Sequence, residues 1–115
     1  MAHDIRAQLR FLSVSAQKVR LVVDVVRGKD VVKALETLRF MPQGAAVPVL
    51  KLLSSAVANA EENFGVSRDD LFVAKIFADE APTRKWRRFG ARGRFKPILR
   101  RTSHVTVILR ERETA

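Results

Sequence analysis

The sequence predicts an α+β protein: a small antiparallel three-stranded sheet packed on three helices, with a long protruding β-hairpin. Three observations carry that prediction. Residues 5–11 and 103–111 alternate apolar and polar side chains with the period of a half-buried strand. Residues 15–63 place apolar side chains at helical spacing between caps and stops. Residues 83–101, TRKWRRFGARGRFKPILRR, hold nine Lys or Arg and no Asp or Glu, and they lie between two strand-like runs.

In the first strand Ile5, Ala7, Leu9 and Phe11 share the apolar side, and Arg6, Gln8 and Arg10 the polar one. Ser15 is placed to cap a helix whose Val19, Val22, Val23 and Val26 form a stripe, and Gly28 supplies a left-handed stop. Four valines are weak helix formers, so packing must hold this helix. Asp30 is placed to cap a second helix, with Val31, Ala34, Leu35 and Leu38 inward, and Pro42 prevents it from continuing beyond about Phe40.

A third helix fits residues 44–63. Pro48 lies in its first turn, Val49, Leu52, Leu53, Ala56, Val57 and Ala60 form a broad apolar face, and Gly65 marks its end. Its small residues Ser54, Ser55, Ala56, Ala58 and Ala60 predict a close approach by another element. Strand character returns at 71–78 and again at 103–111, where Val105, Val107 and Leu109 oppose His104, Thr106 and Arg110. The simplest topology pairs these two strands antiparallel around a long excursion, with strand 5–11 completing the sheet. At 115 residues the chain reads as a single domain, with a body at 1–78 and 105–115 and an extended basic hairpin at 79–104. Arms of a dozen residues give the hairpin a reach on the order of 40 Å.

Charge separates these parts. The chain has 22 basic and 12 acidic residues and a formal net charge of +10; without residues 83–101 the numbers are 13 and 12. A block of like charge cannot form a packed core and calls for a polyanion. Here Trp86, Phe89 and Phe95 are interleaved with the cations, a combination that points to nucleic acid. Arginine outnumbers lysine seven to two in the segment. The planar guanidinium suits bidentate phosphate contacts and stacking on bases, which favours RNA. The expected RNA-binding residues are Arg84, Lys85, Trp86, Arg87, Arg88, Arg92, Arg94, Lys96, Arg100 and Arg101. Phe89, Gly90, Ala91 and Gly93 form the expected hairpin tip, where the chain folds back near Gly90. Trp86 either stacks on an unpaired base or packs against the opposite arm. Lys18, Arg20 and Arg27, with Arg6 and Arg10, form a diffuse second basic set that reads equally as RNA contact or as a solvated face.

Other functional classes find little support. The chain contains no cysteine, which excludes disulfides, thiolate zinc sites and cysteine nucleophiles. Two histidines, His3 and His104, make a metal clamp unexpected, and no cofactor is implied. Neither a secretory signal nor a bilayer-length apolar run is present. His104 has no nucleophile elbow or orienting acid to join, and Asp79 and Glu80, adjacent in a strand, point to opposite faces. The chain is therefore not expected to be an enzyme. A free-standing single-strand RNA binder or RNA chaperone is the alternative reading, and an interfacial membrane module a more remote one.

Five ordered stretches carry a resemblance: SAQKVRLVVDVVRGK at 15–29, ALETLRF at 34–40, SSAVANAEENFG at 54–65, KIFADEAPT at 75–83 and GRFKPILRRTSHVTVIL at 93–109. Over essentially its whole length the chain resembles the bacterial large ribosomal subunit protein twenty-two family. The resemblance implies a compact body bound to ribosomal RNA on the outside of the large subunit, with a hairpin running inward to help line the nascent-peptide exit tunnel. Its tip would lie within residues 84–95. It further implies a role in subunit assembly, proximity to the tunnel site of macrolide antibiotics, and a cytoplasmic, ribosomal location. The implied partners are large-subunit RNA, neighbouring ribosomal proteins and the nascent polypeptide, with no membrane and no homo-oligomer. Departures from the family pattern include Gly90 and Phe89 at the apex, Ala81 at the hairpin's base, and Pro97, which removes a ladder donor and predicts interrupted pairing.

Overall fold

The computed structural model describes residues 4–89 and 95–112, with the arms 84–89 and 95–100 described by their backbone pairing. The elements follow the order β1 (Ile5–Leu12), α1 (Ala16–Val26), α2 (Val31–Phe40), α3 (Ala46–Phe64), a short 3-10 turn (Arg68–Asp70), β2 (Leu71–Glu80), β3 (Arg84–Phe89), β4 (Phe95–Arg100) and β5 (Ser103–Glu111). The sheet order is β1-β5-β2, antiparallel throughout, and β3 and β4 form a separate two-stranded ribbon. The α+β architecture and the small three-stranded sheet are thus as the periodicity predicts.

One face of the sheet is covered by the helices. Ile5 of β1, Val105, Val107 and Leu109 of β5, and Val73, Ile76 and Ala78 of β2 are all buried there. They meet Val19, Val22, Val23 and Val26 of α1, Val31, Ala34 and Leu38 of α2, and Val49, Leu53, Ala56, Val57 and Ala60 of α3. The four valines of α1 are completely inaccessible, which explains how a helix of modest propensity is held: burying each such side chain contributes about 1.5–3 kcal/mol. On α3 only Ala56 and Ala60 of the small residues face the core, while Ser54, Ser55 and Ala58 are exposed.

The helix boundaries confirm the stops and correct the caps. Gly28 (φ 79°) follows α1, and Gly65 (φ 65°) ends α3 in the left-handed conformation. Ser15 occupies the N-cap position of α1, but its hydroxyl makes no capping bond. Asp30 occupies the corresponding position of α2 and does not cap either, because its carboxylate accepts from Arg112 Nε at 2.5 Å. That guanidinium also lies over the Phe72 ring, 4.8 Å from its centroid, so the end of the chain's last strand is tied to the start of α2.

Two side chains of the sheet depart from simple alternation. Register shifts between Leu9 and Leu12, and within this bulge Phe11 adopts a positive φ of 55°. The ring consequently leaves the apolar side and is 56 % exposed, in contrast to its expected place beside Ile5, Ala7 and Leu9. Thr106, expected on a polar face, is buried, since β5 is the central strand and Gln8 and Phe77 flank the residue in register.

The ribbon is continuous. Its register runs from Arg84 opposite Arg100 to Phe89 opposite Phe95, and Arg87 pairs with Pro97 without a break. The expected interruption at Pro97 does not occur. In a two-stranded ribbon alternate N–H groups point away from the partner strand, and a proline is tolerated at such positions. At the hairpin's base Ala81 N–H donates to Thr102 O at 3.0 Å, and the Thr102 hydroxyl donates to Pro82 O. The molecule measures 69 × 25 × 19 Å, a long axis more than twice either other dimension.

Candidate nucleic-acid interface

The basic segment is held between the two strands that share the longest ladder of the sheet. Pairing of β2 with β5 continues as far as Glu80 opposite Ser103, so the arms leave from a fixed end rather than from a loose loop. Ser103 is buried there, and its hydroxyl donates to Val14 O at 2.9 Å.

Along the ribbon the register sets like charges opposite one another: Arg84 faces Arg100 and Arg88 faces Lys96. Directly opposed like charges destabilise an antiparallel pair. Of the remaining register partners, Trp86 with Ile98 and Phe89 with Phe95 are apolar, while Lys85 with Leu99 and Arg87 with Pro97 each pair a cation with an apolar residue. Phe89, expected at the tip, is the last residue of β3. Arg92 and Arg94, and the tip positions Gly90, Ala91 and Gly93, lie outside the described residues.

The second basic set divides. Lys18 is exposed and makes no hydrogen bond or ion pair among the described residues, and the same holds for Arg101 at the end of the basic segment. Arg20 and Arg27 are engaged. Arg20 donates through Nε and Nη2 to Ala78 O at 3.2 and 3.1 Å, and Arg27 donates through Nε and Nη2 to Ile76 O at 3.3 and 2.8 Å, with Nη1 on Asp24 at 2.6 Å. The acceptors are backbone carbonyls of β2, an edge strand of the sheet. Gly28 N–H bonds to Val73 O and Val73 N–H to Lys29 O, covering the same edge further along. α1 and the segment after it therefore seal an edge that would otherwise present free carbonyls to any passing strand. Sequence reasoning treated these arginines only as surface charge, because their acceptors lie 49 to 58 residues away and carry no side-chain signal.

The uncovered face of the sheet carries Arg6, Gln8, Phe77, Ile108, His104 and Arg110, with Asp4 at its border. Arg110 bonds Asp4 through Nε at 2.6 Å and Nη2 at 3.3 Å. This hydrogen bond, with the nearby charges of Arg110 and Lys75, holds the Asp4 carboxyl below the ordinary carboxylate range. Phe11 and His104 are a pair that sequence reasoning missed. Their rings meet edge to face with centroids 4.7 Å apart, and Phe11 N–H donates to His104 Nδ1 at 3.1 Å. The available signal was the adjacency of Phe11 and Leu12, two apolar residues in succession where a strand alternates.

Among the described residues no cluster of acidic or imidazole groups could hold a metal, and no helix is long and apolar enough to cross a membrane.

A protein from Pediococcus pentosaceus called large ribosomal subunit protein uL22 is 46 % identical over 108 residues, covering 94 % of this chain and 92 % of the relative. Proteins of the same name from Thermoanaerobacter sp. and Thermoanaerobacter pseudethanolicus are each 49 % identical over 108 residues, covering 94 % of this chain and 97 % of the relative. With residues 7–110 matching the family model described as ribosomal protein L22p/L17e, the chain belongs to that family of ribosomal proteins, which are structural and not enzymes.

Proposed function

We propose that the chain is an RNA-binding structural constituent of the large ribosomal subunit, with its body (1–78 and 105–115) anchored on ribosomal RNA and its hairpin (79–104) helping to line the nascent-peptide exit tunnel. The opposed cations of the ribbon are the observation that carries this reading. A two-stranded ribbon is marginal in water by itself, and pairs such as Arg84 with Arg100 and Arg88 with Lys96 weaken it further. Packed phosphates convert that repulsion into attraction, so the RNA completes the hairpin as much as the hairpin binds the RNA.

On this reading Arg84, Lys85, Arg87, Arg88, Arg92, Arg94, Lys96, Arg100 and Arg101 neutralise phosphates, Trp86 stacks on a base or meets the nascent chain, and Phe89, Gly90, Ala91 and Gly93 reach furthest inward. Lys18 extends the contact on the body, and Arg20 and Arg27 contribute charge from side chains already anchored on β2. Charge neutralisation of this kind supports assembly of the subunit by drawing separate RNA segments together. The chain acts as a single copy.

The test is cofractionation of the tagged chain with large ribosomal subunits at physiological salt, followed by crosslinking from a photoreactive residue at position 86 in intact cells. Crosslinks to large-subunit RNA and to growing polypeptides are expected. A chain found mainly free of ribosomes, with crosslinks to diverse single-stranded RNA, would favour an RNA chaperone instead.

A further inference from the structure

At the corner of the sheet where the hairpin arms leave, a large aromatic side chain is held outward by an unfavourable backbone. Phe11 has a φ of 55°, a left-handed conformation rarely adopted by bulky residues, and its ring is 56 % exposed. The bulge costs strain and forfeits the burial of a phenylalanine ring. Such outliers gather at binding sites, where bulges re-aim a side chain.

The surroundings say what that side chain meets. His104 accepts the Phe11 N–H at Nδ1, which leaves its own hydrogen on Nε2, and the two rings stand at 85° with centroids 4.7 Å apart. One ring thus offers an open face while a nitrogen donor stands beside it. The corner sets two exposed cations, Arg10, adjacent to Phe11 and bonded through Nε to Gln8 Oε1 at 3.3 Å, and Arg101, three residues from His104, against two exposed carboxylates, Asp79 opposite His104 and Glu80 opposite Ser103 in register. His104 directly follows Ser103, the first residue of β5, so the corner is continuous with the basic arms. An RNA strand lying along those arms passes it. An aromatic face, a ring N–H donor and flanking arginines are the features by which proteins hold a splayed-out base; a duplex, whose bases are stacked on one another, cannot use them.

We infer that Phe11 and His104 form a stacking site for a single unpaired nucleotide of RNA at the root of the hairpin. This rests on the reading of the hairpin as RNA-binding. The site recognises looped or bulged RNA, while the arms contribute affinity of a kind that duplex and loop share.

The experiment compares the full-length chain with its Phe11→Gly and Phe11→Trp variants, each titrated against a fluorescent stem-loop RNA and against the blunt duplex formed by the same stem. Glycine suits the positive φ, so Phe11→Gly is expected to melt within a few degrees of the wild type. It is also expected to lose about tenfold in affinity for the stem-loop and nothing for the duplex, with an unchanged salt dependence. Phe11→Trp keeps the stem-loop preference, and His104→Ala weakens it severalfold. Equal binding of the stem-loop by wild type and Phe11→Gly would overturn the inference and leave the exposed ring to a neighbouring protein. A large fall in melting temperature for Phe11→Gly would overturn it as well, by showing that the ring packs for stability. Failure of the wild-type chain to bind either RNA would instead sink the proposed function itself.

Discussion

Gly28 ends α1 at φ 79°, with open space where a Cβ would stand, so conformational strain alone opposes a larger residue. Gly28→Ala is expected to destabilise the protein by about 1–2 kcal/mol without altering its core, seen as a lower urea midpoint at constant m-value. Its role was legible because a glycine after a helical stripe has one common explanation. Asp4 was not legible in the same way, since its partner Arg110 is 106 residues distant. The sign of its pH effect follows from the Arg110 hydrogen bond, which depresses the carboxyl's folded pKa. The contribution is complete above the unfolded pKa of a carboxylate and is lost as pH falls through the lowered folded value. Asp4→Asn should therefore cost stability at neutral pH and almost none in strong acid, so the difference in melting temperature between wild type and variant shrinks as pH drops below about 4.

Elements depend on how their edges are closed. The strand β2 lies at one side of the sheet, and its outward carbonyls at Ile76 and Ala78 accept from Arg27, just after α1, and from Arg20 of α1. Hydrogen bonds from a charged donor contribute more than neutral ones, though the Arg27 side chain is 46 % exposed, which reduces the gain. Arg27→Ala is expected to cost about 1 kcal/mol, whereas Lys18→Ala, which removes an equal charge from α1 without a bond, should leave stability unchanged. Chemical denaturation of the two variants decides this. A periodicity argument finds the inward valines of α1 because burial repeats every third or fourth residue. It is blind to backbone acceptors on another element, which is why these arginines could be read only as charge.

The whole molecule separates a nearly neutral body from a segment holding nine of its 22 basic residues. If six to ten phosphates are neutralised, RNA affinity should fall by about 10³ to 10⁵ between 50 and 200 mM salt. Replacing Arg92 and Arg94 together by glutamate should weaken RNA binding far more than replacing Lys33 and Lys51, which are exposed on α2 and α3. Filter binding at two salt concentrations measures both effects, and equal losses for the two double variants would mean that charge acts without regard to position. The molecule extends over 69 × 25 × 19 Å, and salt screens exposed charges beyond about 8–10 Å, so charge removed from the arms is not replaced by lysines on the helices.

Composition and periodicity alone determined the class of fold, the order of helices and strands, the glycine stops at 28 and 65, and the concentration of charge in one hairpin. Each is a local property, carried by residues within a few positions of one another. The tertiary structure decided what depends on a neighbour from elsewhere in the chain: Arg20 and Arg27 turned onto the carbonyls of β2, Asp30 drawn from its helix to Arg112, Thr106 covered in a central strand, and Phe11 turned out to meet His104. Alternation states which face a residue should take. Only the assembled sheet, with its bulge, its edges and its central strand, determines whether that face is open and what waits there.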